Sequence, residues 1–362
     1  MELLDLPPEI IDRILSHHVN KVGTFKTCIT HNILAKQPIN AFLKIHPNNG
    51  RRILRKNLST YLKYRIKKLN GAHPFLPNFI KHALDRLEKV SGPVDFSTKT
   101  KNEGTLCDVL VKESEEIAFE LVTTDVKRKK CQRHLWMFDH TQTDDADYAI
   151  AAAAAIGDMG AMVSFIKPDP TDIWLYSPAF GYPLAIAAYT GEYLMVKRML
   201  DAFKIIGLMR DPKSFEEMYE QAILFSLQSR HVAVTMLLTE NHPLYFAAVE
   251  KKAFQSWLKE AIDSGNSELV DAVLKLNHNG GVDCYAQGFN TACKLGHANM
   301  VRLFFEPGRL GINQHTKSAA ESSGCSEITF PLSIAVCSGH LSVVKEMLRL
   351  GANASGPRLK RH

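Results

Sequence analysis

Fifteen histidines and seven cysteines hold most of this chain's capacity for metal and nucleophile chemistry, and they come nearest to a ligand set at Cys131, His134 and His140. A structural zinc site needs four donors, and finger-type sites space them as two close pairs. No second pair follows at such a spacing, and the surrounding residues read as a basic helix surface, so no metal is expected there. The cysteines (Cys28, Cys107, Cys131, Cys284, Cys293, Cys325, Cys337) are scattered and odd in number, which suits reduced thiols rather than a disulfide framework. There is no Gly-x-x-x-x-Gly-Lys-Ser/Thr phosphate loop, no Gly-x-Ser-x-Gly elbow, no His-Glu-x-x-His helix and no kinase set. Neither a cofactor nor an enzymatic activity is expected.

Charge offers a different chemistry. Between Arg51 and Lys89 there are eleven cations (Arg51, Arg52, Arg55, Lys56, Lys63, Arg65, Lys67, Lys68, Lys81, Arg86, Lys89) against Asp85 and Glu88 alone. Such an excess could tether nucleic acid or anionic lipid, or form the solvated side of amphipathic helices. With no zinc finger, RNP pattern or Gly-x-x-Gly clamp in a suitable context, nucleic acid is the less favoured partner. Lys127-Arg128-Lys129-Lys130 is a second short basic run. Aromatic side chains offer the third chemistry, that of protein contact: Trp174, Tyr176, Tyr182 and Tyr189 lie near expected hairpins and carry much contact area at little entropic cost. The alternative for each is packing inside the fold.

The elements that must carry these residues follow from a phrase that recurs through the last 210 or so residues: a small-residue helix, a Gly turn, then a helix ending in two bulky apolar residues. Copies run from Ala151 to Ile166, Pro183 to Leu200, Trp257 to Leu274, Gly288 to Phe305 and Pro331 to Leu348, with a degenerate copy from Ala222 to Leu238. Gly157, Gly191, Gly265, Gly296 and Gly339 mark the turns, where a left-handed backbone closes the first helix cheaply. Ser229 is expected to hold that place in the degenerate copy. Pro183 and Pro331 fit a first helical position, and pairs such as Met199-Leu200 and Met347-Leu348 fill the space between units. One helix pair cannot bury that face alone, so the units must stack.

This phrase resembles the ankyrin repeat. The last copy matches best, through Pro331, Leu332, Ala335, Gly339, His340, Val343, Val344, Leu348, Gly351, Ala352 and Asn353. The Thr and His of the family's Thr-Pro-Leu-His tetrapeptide are missing at Tyr182-Pro183-Leu184-Ala185 and Phe330-Pro331-Leu332-Ser333, which implies irregular packing. The resemblance implies an all-α fold, a helical solenoid whose concave face holds a protein partner.

A second phrase, Leu6-Pro7-Pro8-Glu9-Ile10-Ile11-Asp12-Arg13-Ile14-Leu15, should start a helix crisply, with Ile10, Ile11, Ile14 and Leu15 on one stripe. It is similar to the opening of an F-box, the module by which substrate receptors dock on the small adaptor of cullin-RING ubiquitin ligases. The resemblance implies adaptor contacts at Leu6, Pro7, Ile10, Ile11, Ile14 and Leu15. The arrangement resembles a group of fungal F-box-like proteins with ankyrin repeats. It implies a substrate receptor; a scaffold in which the amino-terminal helices merely cap the solenoid is the alternative.

The chain therefore divides into an F-box-like segment (1–48), a basic helical region (49–140), about six degenerate repeats (141–356) and a basic tail (357–362). In the second of these, apolar spacing predicts helices over 50–69 and 77–90 and another opening at Ser114, with an exposed loop over 91–104. Glu2 and Asp5 stand where a leader would be basic, and the longest apolar run, Tyr148 to Ile156, is too short for a bilayer. An intracellular protein, cytoplasmic or nuclear, without a transmembrane segment, is expected.

Overall fold

The computed structural model describes residues 47–69, 74–123, 146–166, 174–206, 212–314, 316–318 and 327–354. The F-box-like string, Cys131, His134, His140, the 127–130 basic run and the tail lie outside them. Among the described residues the fold is all-α, with sixteen helices and one two-stranded ribbon. No helix there is long and apolar enough to cross a membrane. The chain divides into two compact units, Met1–Ala187 with Ala202–Met209, and Ala188–Asp201 with Arg210–His362. Residues 141–187, grouped with the repeats by sequence, belong to the first unit.

The first unit holds α1 (Pro47–Lys56), α2 (Leu58–Lys67), α3 (Phe75–Ser91), α4 (Phe96–Thr123), α5 (Ala146–Ile156) and α6 (Met159–Phe165). The helix expected over 50–69 is broken at Asn57, whose backbone leaves the helical region at φ −125° and ψ 20°. The loop expected over 91–104 is largely wrong, because α4 already starts at Phe96. Asp95 drives that start: its carboxylate accepts from Ser97 N, Thr98 N and Thr98 Oγ1, and Lys99 bonds back to Glu88 on α3. At Ser114, where the sequence has a helix opening, α4 kinks through φ −125° and ψ 36°. Against α3 and α4 lies α5, whose Ala149 and Ala151–Ala155 are wholly buried, as close helix approach demands of small side chains.

Between the units, the division falls inside α7 (Pro183–Thr190) and α8 (Tyr193–Ile206). The second unit continues with α9 (Pro212–Gln228), α10 (Val232–Tyr245), α11 (Lys251–Asp263), α12 (Ser267–Leu274), α13 (Val282–Leu295), α14 (Ala298–Val301), α15 (Pro331–Cys337) and α16 (Leu341–Arg349). These helices pair in order, and the pairs stack: α9, α11, α13 and α15 form one row, α10, α12, α14 and α16 the other. The ribbon of β1 (Thr316–Ser318) and β2 (Glu327–Thr329) is antiparallel, with Lys317 opposite Ile328, and β1 lies on α13.

All five turn glycines are left-handed, with φ of 74° at Gly157, 81° at Gly191, 76° at Gly265, 77° at Gly296 and 75° at Gly339. In the degenerate copy the left-handed residue is Arg230, at φ 60°, one position beyond the expected Ser229. Register explains this: the residue after each turn leads into the next helix, and His231 does so for α10 as His297 and His340 do for α14 and α16. Two of those histidines also join neighbouring copies. His231 Nε2 donates to Tyr189 O and His340 Nε2 to Lys294 O, each at 3.0 Å, and each ring lies over the preceding copy's turn glycine. A Cβ on Gly191 would meet the His231 ring at 2.6 Å, and one on Gly296 would meet His340 at 2.8 Å.

Burial follows the same period. Three residues before each turn, Ala188, Leu227, Ile262 and Cys293 are fully buried, whereas Val336 is 57% exposed. Nine residues after, Leu200, Thr239 and Leu274 are buried, and Leu348 is 46% exposed.

Candidate partner-binding surface

In the first unit the chain after Trp174 makes a tight turn. Ser177 and Gly181 exchange backbone bonds of 3.1 and 2.6 Å, and Phe180 N donates to Ser177 Oγ. The α4 kink receives this turn: the buried Ser114 hydroxyl donates to Pro178 O at 2.8 Å, and Phe180 stacks on Phe79 with ring centres 5.6 Å apart. Tyr176 and Tyr182 flank it with their rings edge to face at 4.9 Å. Burial first, and the nearby Glu113 charge second, push the Tyr176 hydroxyl above the ordinary tyrosine value.

The four aromatics expected to contact a partner do not form one set. Trp174 is only 2% exposed and packs edge to face on Phe203, so its ring belongs to the core and the expectation for it fails. Tyr176 and Tyr182 stand together, with Tyr176 the more exposed. Tyr189 is half-buried in the second unit against Phe225. Glu113, missed by sequence reasoning, lies against Gly181, where a Cβ would meet its carboxyl carbon at 2.6 Å. Nothing local in the sequence marks it, since it is an ordinary helical acid far upstream of the turn.

In the second unit the loops between pairs are tied to each other. Val249 N donates to Asn277 O and Asn279 N to Val249 O, while Asn277 Nδ2 donates to Ala247 O at 2.9 Å. Farther along, Asn313 Nδ2 donates to Gly351 O and Asn353 N to Asn313 Oδ1. Between first helices, Gln255 Nε2 donates to Gln287 Oε1 at 2.7 Å. These asparagines and glutamines bond neighbouring loops and neighbouring first helices to one another.

Two other groups could do chemistry. Beside Gly280, Cys284 lies close to His278, but burial raises the thiol pKa, and His278 Nδ1 accepts from Gly280 N while its ring stacks on Phe254 at 3.7 Å. A thiol held protonated is a poor nucleophile. Of the eleven cations, Arg55 pairs with both Glu116 oxygens, Lys63 with Asp108 at 2.7 Å, and Arg86 donates to Tyr148 Oη. Arg65 is buried over the Tyr61 ring. The other seven are exposed. Three of the eleven therefore join helices and a fourth is buried, which weakens the case for a polyanion surface. No group of three or more metal-ligating side chains occurs among the described residues.

The chain matches no family model, and no curated protein matches it.

Proposed function

We propose that the chain is a protein-interaction module of the ankyrin-repeat type, whose first helices and tied loops hold a protein partner in an intracellular, cytoplasmic or nuclear setting. The reading rests on repetition at three levels: five left-handed glycines at equivalent turns, helix pairs stacked in two rows, and loops bonded to their neighbours. A surface already ordered in this way loses little conformational entropy on docking. To test it, the intact chain is used as bait and bound proteins are identified by mass spectrometry, alongside a variant with Asn277→Ala and Asn313→Ala. A specific partner whose recovery falls in the variant is the expected result. Recovery of nothing beyond an unrelated helical control, or equal recovery by the variant, removes the proposal.

The F-box-like string adds a narrower expectation, that the captured protein is brought to a cullin-RING ligase through Leu6, Pro7, Ile10, Ile11, Ile14 and Leu15. It is supported by sequence alone. Binding of the small adaptor by the intact chain, lost with Ile10→Asp and Ile14→Asp, supports the receptor; no binding by the intact chain leaves a scaffold without ligase function.

A further inference from the structure

The last described helix pair carries an inner face on its outer side. In the second unit, Ile223, Leu258 and Phe289, seven residues before their turns, are buried, and so are Thr235, Val270 and Val301, five after. With the positions three before and nine after, they make one face on each pair, two side chains per helix at a spacing of i, i+4. That face is turned to the following pair: Leu258 Cδ2 lies 2.6 Å from where a Cβ on Gly288, one copy on, would stand. In α15 and α16 the same four positions hold Leu332, Val336, Val344 and Leu348, all aliphatic. Val336 and Leu348 are exposed, Leu332 and Val344 half-buried. A pair that closes a stack to water carries polar residues there instead.

We propose that this face binds the same face of a second copy of the chain, giving a two-fold dimer through α15 and α16. The contact continues the stack, helix pair upon helix pair, with the same residue positions buried. A two-fold axis sets the four aliphatic side chains of one copy against those of the other, so that none of the four meets a charge it must desolvate, and it closes the assembly at two. Lys345, exposed beside Leu348, stays at the rim, where its ammonium still reaches water. The helices have seven and nine residues and give a footprint of about 20 by 14 Å. That is well short of the roughly 800 Å² per partner of a standard interface, so the dimer is a reversible one, dissociating at about 10–100 µM. It is independent of the partner-holding reading and stands even if the bait recovers no other protein.

The test is sedimentation equilibrium of the full chain from about 1 to 500 µM, a range that brackets such a constant. The mass is expected to double from 40.5 kDa and to level off there. Val336→Glu combined with Leu348→Glu should weaken association at least about tenfold, because like charges would be pressed into an apolar contact. Both side chains are exposed in the single chain, and the melting temperature of the dilute variant checks that it folds. Should that temperature fall, Val336→Ser with Leu348→Ser takes its place, with a weaker dimer again expected. A wild-type mass that stays at the monomer throughout, as when another segment of the chain covers the face, overturns the proposal. So does a mass that climbs past the dimer without levelling, the mark of head-to-tail growth, or a folded variant that associates as tightly as the wild type.

Discussion

At the scale of single residues, the turn glycines are not equivalent, although all are left-handed. Gly191 and Gly296 are fixed twice, by φ and by the histidine of the next copy, whereas a Cβ on Gly339 would meet nothing within 4 Å. Gly339→Ala is expected to cost about 1 kcal/mol, the left-handed penalty. Gly191→Ala should cost about 2–3 kcal/mol, because the ring must move and its bond to Tyr189 O weaken. Urea melts of the two variants check this; equal losses would show that the histidine gives way freely. His242 is a second informative residue. It is buried among Tyr219, Phe246 and Trp257, and burial lowers its pKa from 6.5 to about 4. The unfolded chain therefore takes up the proton first, so stability that is complete above pH 6.5 drains away as pH falls toward 4. The loss amounts to about 3 kcal/mol at most. His242→Phe should flatten that part of the stability profile. Glu220 has the opposite sense: burial, then Glu216, Glu250 and Glu217, raise its pKa from 4.5 to about 6. Its ionised form is strained at pH 7 and relieved as pH drops through 6. Since Glu220 is half-exposed, Glu220→Gln should add only on the order of 1 kcal/mol at pH 7, and nothing at pH 4.

At the scale of elements, the degenerate copy shows what sequence reading caught and what it missed. Helices were legible wherever small and bulky apolar residues alternate around a glycine, because one period sets both burial and turn. Without the glycine the register slipped by one residue, and Ser229 took the place that belongs to Arg230. An arginine at φ 60° is uncommon and costs free energy relative to glycine. Arg230→Gly is thus expected to raise stability by about 1 kcal/mol, and a melt that shows a loss would mean the exposed side chain has a contact of its own. The missed start of α4 has a different origin. Gly92, Pro93, Ser97, Thr98 and Thr100 give a loop-like composition, but Asp95 caps the helix through three bonds. The candidate site was legible only in part for a similar reason: aromatic type marks Tyr176 and Tyr182, whereas their distance from Trp174's buried position, and Glu113's place at Gly181, depend on packing remote in sequence.

At the scale of the whole molecule, the stacked pairs in the second unit are stabilised by their own helices and by the pairs next to them, as expected for repeats that contact only their neighbours. The burial of Val336 and Leu348 departs from that of every described counterpart in the stack three residues before or nine after a turn, save the half-buried Phe305. Amide exchange should accordingly be slower in α11 and α12, which are packed between two described pairs, than in α15 and α16, where Val336 and Leu348 are exposed. Uniform protection along the stack would contradict nearest-neighbour stabilisation.

The rings of His231 and His340 spanning two copies have a consequence for how strain spreads through the stack. Each imidazole is rooted at the start of one helix and fastened to the closing carbonyls of another, so tilting either pair drags on a rigid strut rather than on a pliant apolar contact. A pull applied at one loop would then be passed along as rotation instead of being absorbed locally. Cutting the strut at position 231 or 340 would leave the stack assembled but more compliant, a difference that force spectroscopy registers as a lower stiffness at unchanged contour length.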